Sequence, residues 1–259
     1  MIKANKRFGQ NFLKDNNVID KIVNSINVSE NDLVIEIGPG MGALTKKLKE
    51  KKSYLLAFEI DERMHDFLDY LEDKKTKIIY QDILETDLNN ILSSYKYEKL
   101  YVVANLPYYI TTPIIQNLIS LDHKIDAMTI MVQNEVADRF SAEPCSREYG
   151  MMTVLLNYKY NVKKLFVVKN TCFNPIPKVD SAVVNLTRKE NIELKDYNNF
   201  YKLVSTAFKH KRKTLKNNLG KELYLKVLPF LSDFYYDDNV RAEEITVEEY
   251  IYLSNNIKF

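Results

Sequence analysis

Leu33-Val34-Ile35-Glu36-Ile37-Gly38-Pro39-Gly40-Met41-Gly42 is the stretch that decides the fold. Its first half reads as a short buried strand, and its three closely spaced glycines read as the tight turn that leaves it. The 259 residues contain only six glycines, so half of them fall in this turn. Ordinary usage of about 7% would give roughly eighteen. Leu44 and Leu48 then fit a helix that opens at the turn, and Val18, Ile22, Val23 and Ile26 fit a helix face ahead of the strand. Further along, Tyr54 to Phe58 reads as a strand and Asp61 to Leu71 as a helix. Lys77 to Tyr80 and Leu100 to Ala104 are strands, and Thr111 to Ser120 is a helix with Pro113 in its first turn. Ala127 to Val132 and Val183 to Leu186 are the late strands. Strands alternating with helices predict an α/β fold with a mostly parallel, doubly wound sheet. After about residue 190 the pattern changes: Phe200, Leu203, Val204, Ala207 and Phe208 recur at helical spacing and no strong strand follows. The expected organisation is a domain over 1–189 and a small all-helical domain over 190–259.

Composition excludes several classes. Hydrophobic residues at 46% and charged residues at 28% are ordinary for a globular protein, which rules out collagen-like, low-complexity and disordered readings. No apolar run approaches the roughly 20 residues of a membrane span, and the N-terminus has no continuous apolar h-region, so no secretory signal is expected. Cys145 and Cys172 have no CxxC spacing, and His65, His123 and His210 are far apart. The expectation is a cytoplasmic protein with reduced thiols and no metal site.

The net charge of +2 hides strong segregation. Residues 1–14 carry Lys3, Lys6, Arg7 and Lys14 with no acid, and residues 202–221 are again basic with no acid. The segment 233–249 is strongly acidic. This distribution points to a polyanion met at two basic places. Lys209, Arg212, Lys213 and Lys216 stand at i, i+3, i+4 and i+7, so a continuous helix would put them on one face; Thr214 could instead cap a new helix and splay the stripe.

Gly38 lets the backbone pass close to a bound cofactor at the strand-to-helix turn. Glu59 ends the second strand and can accept hydrogen bonds from both hydroxyls of a ribose; Asp82 follows the third strand and could meet the amino group of an adenine. The spacing Gly38-x-Gly40-x-x-Ala43 leaves NAD and S-adenosylmethionine both open. Asn105-Leu106-Pro107-Tyr108 follows a strand and belongs at the same crevice. Methyl transfer to an exocyclic amine needs two acceptors that grip its hydrogens and aim the lone pair, because that lone pair is delocalised into the ring. The Asn105 side-chain oxygen can be one. The other can be the Leu106 carbonyl, held extended because it precedes Pro107. Tyr108 offers a stacking face worth about 1–3 kcal/mol per base.

With Lys6-Arg7-Phe8-Gly9-Gln10-Asn11-Phe12-Leu13, Phe173-Asn174-Pro175-Ile176-Pro177-Lys178-Val179-Asp180-Ser181 and Ala207-Phe208-Lys209-His210-Lys211-Arg212-Lys213-Thr214-Leu215, these stretches resemble the KsgA/RsmA family of ribosomal RNA adenine N6,N6-dimethyltransferases. The resemblance implies a Rossmann-like class I methyltransferase domain with S-adenosylmethionine as cofactor. It implies as partner the 16S rRNA of the small ribosomal subunit, with two adjacent adenosines near its 3′ end as targets, and a monomeric protein. By the same resemblance Asn11 and Leu13 would line the cofactor pocket with Gly38, Glu59, Asp82 and Asn105. Tyr108 and Phe173 would pack on the target base from its two sides. Lys6, Arg7, Lys209, Lys211, Arg212, Lys213 and Lys216 would contact RNA. One departure is Tyr109, where many members carry Asn. The rival readings are an Erm-type enzyme acting on 23S rRNA, a ribosome-assembly factor without catalysis, and an NAD-dependent oxidoreductase.

Overall fold

The computed structural model describes residues 4–259, apart from the side chain of Lys6. Lys3 and the Lys6 side chain, expected as part of the basic arm, lie outside the described residues. The strands are β1 (Phe12–Leu13), β2 (Leu33–Ile37), β3 (Tyr54–Glu59), β4 (Thr76–Tyr80), β5 (Leu100–Asn105), β6 (Ala127–Gln133), β7 (Tyr160–Val168), β8 (Phe173–Asn174) and β9 (Ser181–Arg188). The helices are α1 (Asn16–Asn24), α2 (Ala43–Lys49), α3 (His65–Leu68), α4 (Leu88–Ser93), α5 (Thr111–Ile119), α6 (Asn134–Phe140), α7 (Met151–Asn157), α8 (Tyr197–Ala207), α9 (Leu215–Asp233) and α10 (Val247–Asn256).

Among the described residues the main sheet has the order β4-β3-β2-β5-β6-β9-β7. The pairs from β4 through β6 are parallel and β9 runs antiparallel to β6. β2, β3 and β5 are near-continuous apolar runs because both faces of the sheet are covered. The chain winds from β2 to β4 in one direction and continues from β5 in the other. The switch point therefore lies between β2 and β5, where crevices form at the carboxyl ends of strands. The glycine turn after β2 and the Asn105 tetrapeptide after β5 both fall there. A two-stranded pairing of β1 with β8, Phe12 opposite Asn174 and Leu13 opposite Phe173, ties the N-terminal arm to this same part of the fold.

The single helix predicted over Asp61 to Leu71 is broken. A 3-10 turn over Glu62–Met64 and another over Asp69–Leu71 flank the four-residue α3. The apolar spacing that suggested a helix is real, since Met64, Leu68 and Leu71 are buried. The segment is held close against the glycine turn: a Cβ on Gly42 would lie 2.9 Å from Leu71 Cδ1 and 3.3 Å from Leu68 Cδ2. Tight 3-10 turns suit short segments pinned at both ends.

The chain divides into two compact units. One comprises the chain through Ala137 with Lys163–Arg188; the other comprises Asp138–Val162 with Lys189–Phe259. Residues 138–162, which the sequence suggested would belong to the first domain, thus group with the C-terminal helices. The physical reason is aromatic packing: Tyr158 stacks at 5.1 Å from Phe200 of α8, and the Tyr149 hydroxyl donates to the Ile245 carbonyl at 2.9 Å.

Candidate active site

A cavity in the first unit is lined by Asn11, Leu13, Gly38, Glu59, Asp82, Asn105, Leu106, Pro107 and Tyr108. Nearly every residue expected to bind cofactor or target amine therefore meets in one place. The glycine turn takes left-handed backbone, with φ of 70° at Gly38 and 57° at Gly40, a conformation L side chains avoid. The Gly40 amide donates to Glu59 Oε2 at 2.9 Å, and the Asp61 amide donates to Glu59 Oε1 at 2.9 Å. Glu59 is buried, and burial pushes its carboxyl above the usual range while these two amides pull the other way. The carboxylate is held rigidly, with lone pairs left over for a further donor. Asp82 is shaped by its own turn: its Oδ1 accepts from the Leu84 amide at 2.9 Å and its carbonyl from the Thr86 hydroxyl at 2.7 Å.

The orientation of Asn105 follows from its neighbour. Its Nδ2 donates to the Asn11 carbonyl at 3.2 Å. A carbonyl can only accept, so the amide nitrogen must face the arm and the side-chain oxygen is left as an acceptor. The Pro107 carbonyl is already occupied by the Ile110 amide at 3.2 Å and the Thr111 hydroxyl at 3.0 Å. Tyr108 is fixed through its hydroxyl, which pairs with Ser181 Oγ at 2.7 Å. Ser181 begins β9 and closes the Pro-Lys-Val-Asp-Ser run. The preceding Asp180 braces that run by accepting from Lys169 Nζ at 2.8 Å and the Asn170 amide at 3.0 Å. Two motifs far apart in sequence are thus joined by a side-chain hydrogen bond behind the Tyr108 ring.

Comparison with known proteins identifies the family. The family described as "Ribosomal RNA adenine dimethylase" matches residues 1–258. The chain belongs to that family. A relative from Streptococcus thermophilus, "Ribosomal RNA small subunit methyltransferase A", is 41% identical over 265 residues, covering 98% of this chain and 91% of the relative. A protein of the same name from Clostridium acetobutylicum is 41% identical over 262 residues, covering 98% and 94%. Among solved structures, a dimethyladenosine transferase from Plasmodium falciparum superposes with a TM-score of 0.78 at 26% identity, covering 93% of this chain and 95% of that one. The 23S rRNA methyltransferase ErmE shares the fold, with a TM-score of 0.72 at 22% identity over 95% and 99% of the two chains. Family membership makes the chain a methyltransferase and sets the oxidoreductase reading aside.

The structure of this dimethylase places several of the other expected site residues as follows. Phe173 does not line the cavity: it is 1% exposed, paired with Leu13 across β1 and β8 and packed in the core with Ile19 and Val168. Its motif position ahead of two prolines gave no sign of burial. The basic stretch is not one helical face. α8 ends at Ala207 and Thr214 caps α9, so Lys209, Lys211, Arg212 and Lys213 lie exposed on the connecting loop. Buried Asn218 sets that loop, donating to the carbonyls of Ala207 at 2.7 Å and His210 at 3.2 Å and accepting from the His210 amide at 3.1 Å. Lys216 is engaged locally, 3.0 Å from Asp238 and over the Tyr224 ring. Arg7 is exposed, with its guanidinium 5.8 Å from the Phe8 ring centroid.

Sequence reasoning missed several cavity residues, Ile60, Ile83 and Gln10 among them. Ile60 and Ile83 follow Glu59 and Asp82 and put an apolar side chain beside each acid. Their signal was position alone, one residue past each acid. Gln10 also lines the cavity, and nothing local in the sequence marked it.

Proposed function

We propose that this chain is the S-adenosylmethionine-dependent dimethyltransferase of small-subunit rRNA, acting as a cytoplasmic monomer on the N6 amines of two adjacent adenosines near the 3′ end of 16S rRNA. The observation that carries the reading is the meeting, in one cavity, of a ribose-type carboxylate, Glu59, with an amide, Asn105, whose oxygen is left as an acceptor. The residues fit the cofactor: a glycine turn with left-handed backbone, a rigid carboxylate after β3 and an acid after β4 supply the polar contacts a nucleoside needs. When bound, S-adenosylmethionine supplies a sulfonium-activated methyl group.

Glu59 would hold the ribose, Asp82 the adenine amino group, and Gly38, Asn11 and Leu13 the remaining walls. Asn105 Oδ1 and the Leu106 carbonyl would each accept one hydrogen of the target amine, favouring its pyramidal form and directing its lone pair toward the methyl donor. The ring of Tyr108 would stack on the target base. Burial pushes the Tyr108 phenol up, so it stays a neutral hydroxyl on Ser181 and its ring remains fixed. No side-chain base is required, because the methylated amine is acidic and gives its proton to solvent. The rate then comes from positioning. The exposed loop with Lys209, Lys211, Arg212 and Lys213, together with Arg7, would meet RNA phosphates.

The test supplies labelled S-adenosylmethionine with unmethylated small subunits and, separately, with large-subunit rRNA. The expected result is label on two adjacent adenosines of 16S rRNA, two methyl groups on each. Label on large-subunit rRNA instead would overturn the assignment in favour of an Erm-type enzyme. RNA binding without any label would leave a non-catalytic assembly factor.

A further inference from the structure

Four consecutive arm residues each touch a segment that frames the site. Gly9 lies against the Tyr109 ring, so close that a Cβ on it would stand 3.1 Å from Cδ1. The Gln10 side chain donates to Asp61 Oδ2 at 2.7 Å. The Asn11 carbonyl accepts from Asn105 Nδ2 at 3.2 Å. The Phe12 ring lies against Gly40, where a Cβ would stand 3.0 Å from Phe12 Cδ1. The contacts alternate: Gly9 and Asn11 meet the amine-gripping loop, while Gln10 and Phe12 meet the turns that frame the cofactor crevice.

Gln10 is the polar link on the cofactor side. Its Oε1 accepts from the Asn5 amide at 2.8 Å, which turns its Nε2 toward Asp61. Asp61 is 3% exposed and is also gripped by the Arg63 guanidinium, with Nε donating to Oδ1 at 2.8 Å. The Asp61 amide in turn donates to Glu59 Oε1 at 2.9 Å. A continuous path therefore runs from Glu59 through Asp61 and Gln10 to the Asn11 carbonyl and Asn105.

We propose that Gln10 is a positioning residue that registers the arm on the Glu59–Asp61 turn, so that Asn105 is aimed only when the cofactor side of the site is in place. The inference rests on the reading of Asn105 and Glu59 given under the proposed function. Gln10 lines the cavity, but both ends of its amide are taken by Asn5 and Asp61, so it acts through the backbone of the next residue. Removing its side chain leaves Glu59 with both backbone donors but frees the arm to shift, and displacement of a positioning group lowers rate more than affinity.

The experiment compares the full-length chain with Gln10→Ala and Gln10→Lys. It measures the single-turnover methylation rate at saturating cofactor and unmethylated small subunits, and in parallel the affinity for S-adenosylhomocysteine. Gln10→Ala is expected to slow single turnover by about ten- to hundredfold while changing S-adenosylhomocysteine affinity by no more than about threefold, the low end of what one hydrogen bond contributes. Gln10→Lys keeps a donor that reaches Asp61 and should recover most of the rate. An unchanged rate in Gln10→Ala overturns the proposal. So does a parallel loss of rate and affinity that Gln10→Lys does not rescue, since that marks general damage to the pocket. A wild-type chain that methylates no RNA overturns the functional reading and this inference with it, whereas an active wild type with an unchanged Gln10→Ala overturns the inference alone.

Discussion

At the scale of single residues, side chains in the cavity are oriented by what their far ends bond to. The Asn11 carbonyl sorts the Asn105 amide, leaving its oxygen as acceptor, and Ser181 holds the Tyr108 ring by its far end. Asn105→Ala removes that acceptor and should lower methyl transfer by about a hundredfold or more, with S-adenosylhomocysteine binding retained by calorimetry. Near-normal turnover in that variant would sink the mechanism. Glu36 makes a second, independent case. It is 1% exposed, and burial pushes its carboxyl up to about 8 against the opposing pull of Thr45, with the nearby Glu59 charge adding to the effect. Between its ordinary value of 4.5 and about 8, the folded chain keeps a proton that the unfolded chain has lost. Stability should therefore fall as pH rises through that window and level off above it. Glu36→Gln keeps the shape and removes the titration, so its melting temperature should fall less steeply over the same window. Equal slopes for the two proteins would refute the assignment.

At the scale of elements, short connecting segments matter more than regular ones. The glycine turn, the arm and the broken segment after β3 frame the cofactor crevice, while the strands only deliver them. The connection between α8 and α9 shows how a local spacing misleads. Four cations at helical intervals would share one face on a continuous helix, but Thr214 caps a new helix, the other outcome its position allowed; clustered like charges disfavour a helix, and Asn218 captures the backbone of Ala207 and His210 instead. The loop leaves Lys209, Arg212 and Lys213 exposed. Neutralising these three should reduce the slope of log affinity for rRNA against log salt by about 0.7–0.9 for each phosphate that is no longer paired with a cation. A filter-binding series across salt concentrations measures it, and an unchanged slope would return the loop to a merely solvated surface.

At the scale of the whole molecule, the second compact unit is assembled from two separate stretches, Asp138–Val162 and Lys189–Phe259. A chain ended after residue 189 keeps the complete cavity but strips α7 of its partners α8 and α10. It exposes the apolar side chains of α7 that pack on those two helices, at about 1.5–3 kcal/mol for each large one. It also leaves the buried Tyr149 hydroxyl without its acceptor on Ile245. Such a truncation should bind a hydrophobic dye and self-associate in sedimentation, while the full chain does neither. A well-behaved monomeric fragment would show that the first stretch of the second unit folds without the rest.

The sequence by itself determined the strands from Leu33 to Val132, the glycine turn, the acids Glu59 and Asp82, and the Asn105 tetrapeptide. These are written in apolar runs, turn residues and spacings of a few positions, which local sterics and burial translate directly into structure. Only the tertiary structure decided that Phe173 is buried, that residues 138–162 join the C-terminal helices, and that the α8–α9 connection is a loop. It alone brought Gln10 onto Asp61, Tyr108 onto Ser181 and Asn105 onto Asn11, pairs separated by 51, 73 and 94 positions. The reason is physical: local pattern sets which backbone shape is cheap, but which polar group satisfies which other depends on how the whole chain closes around its core.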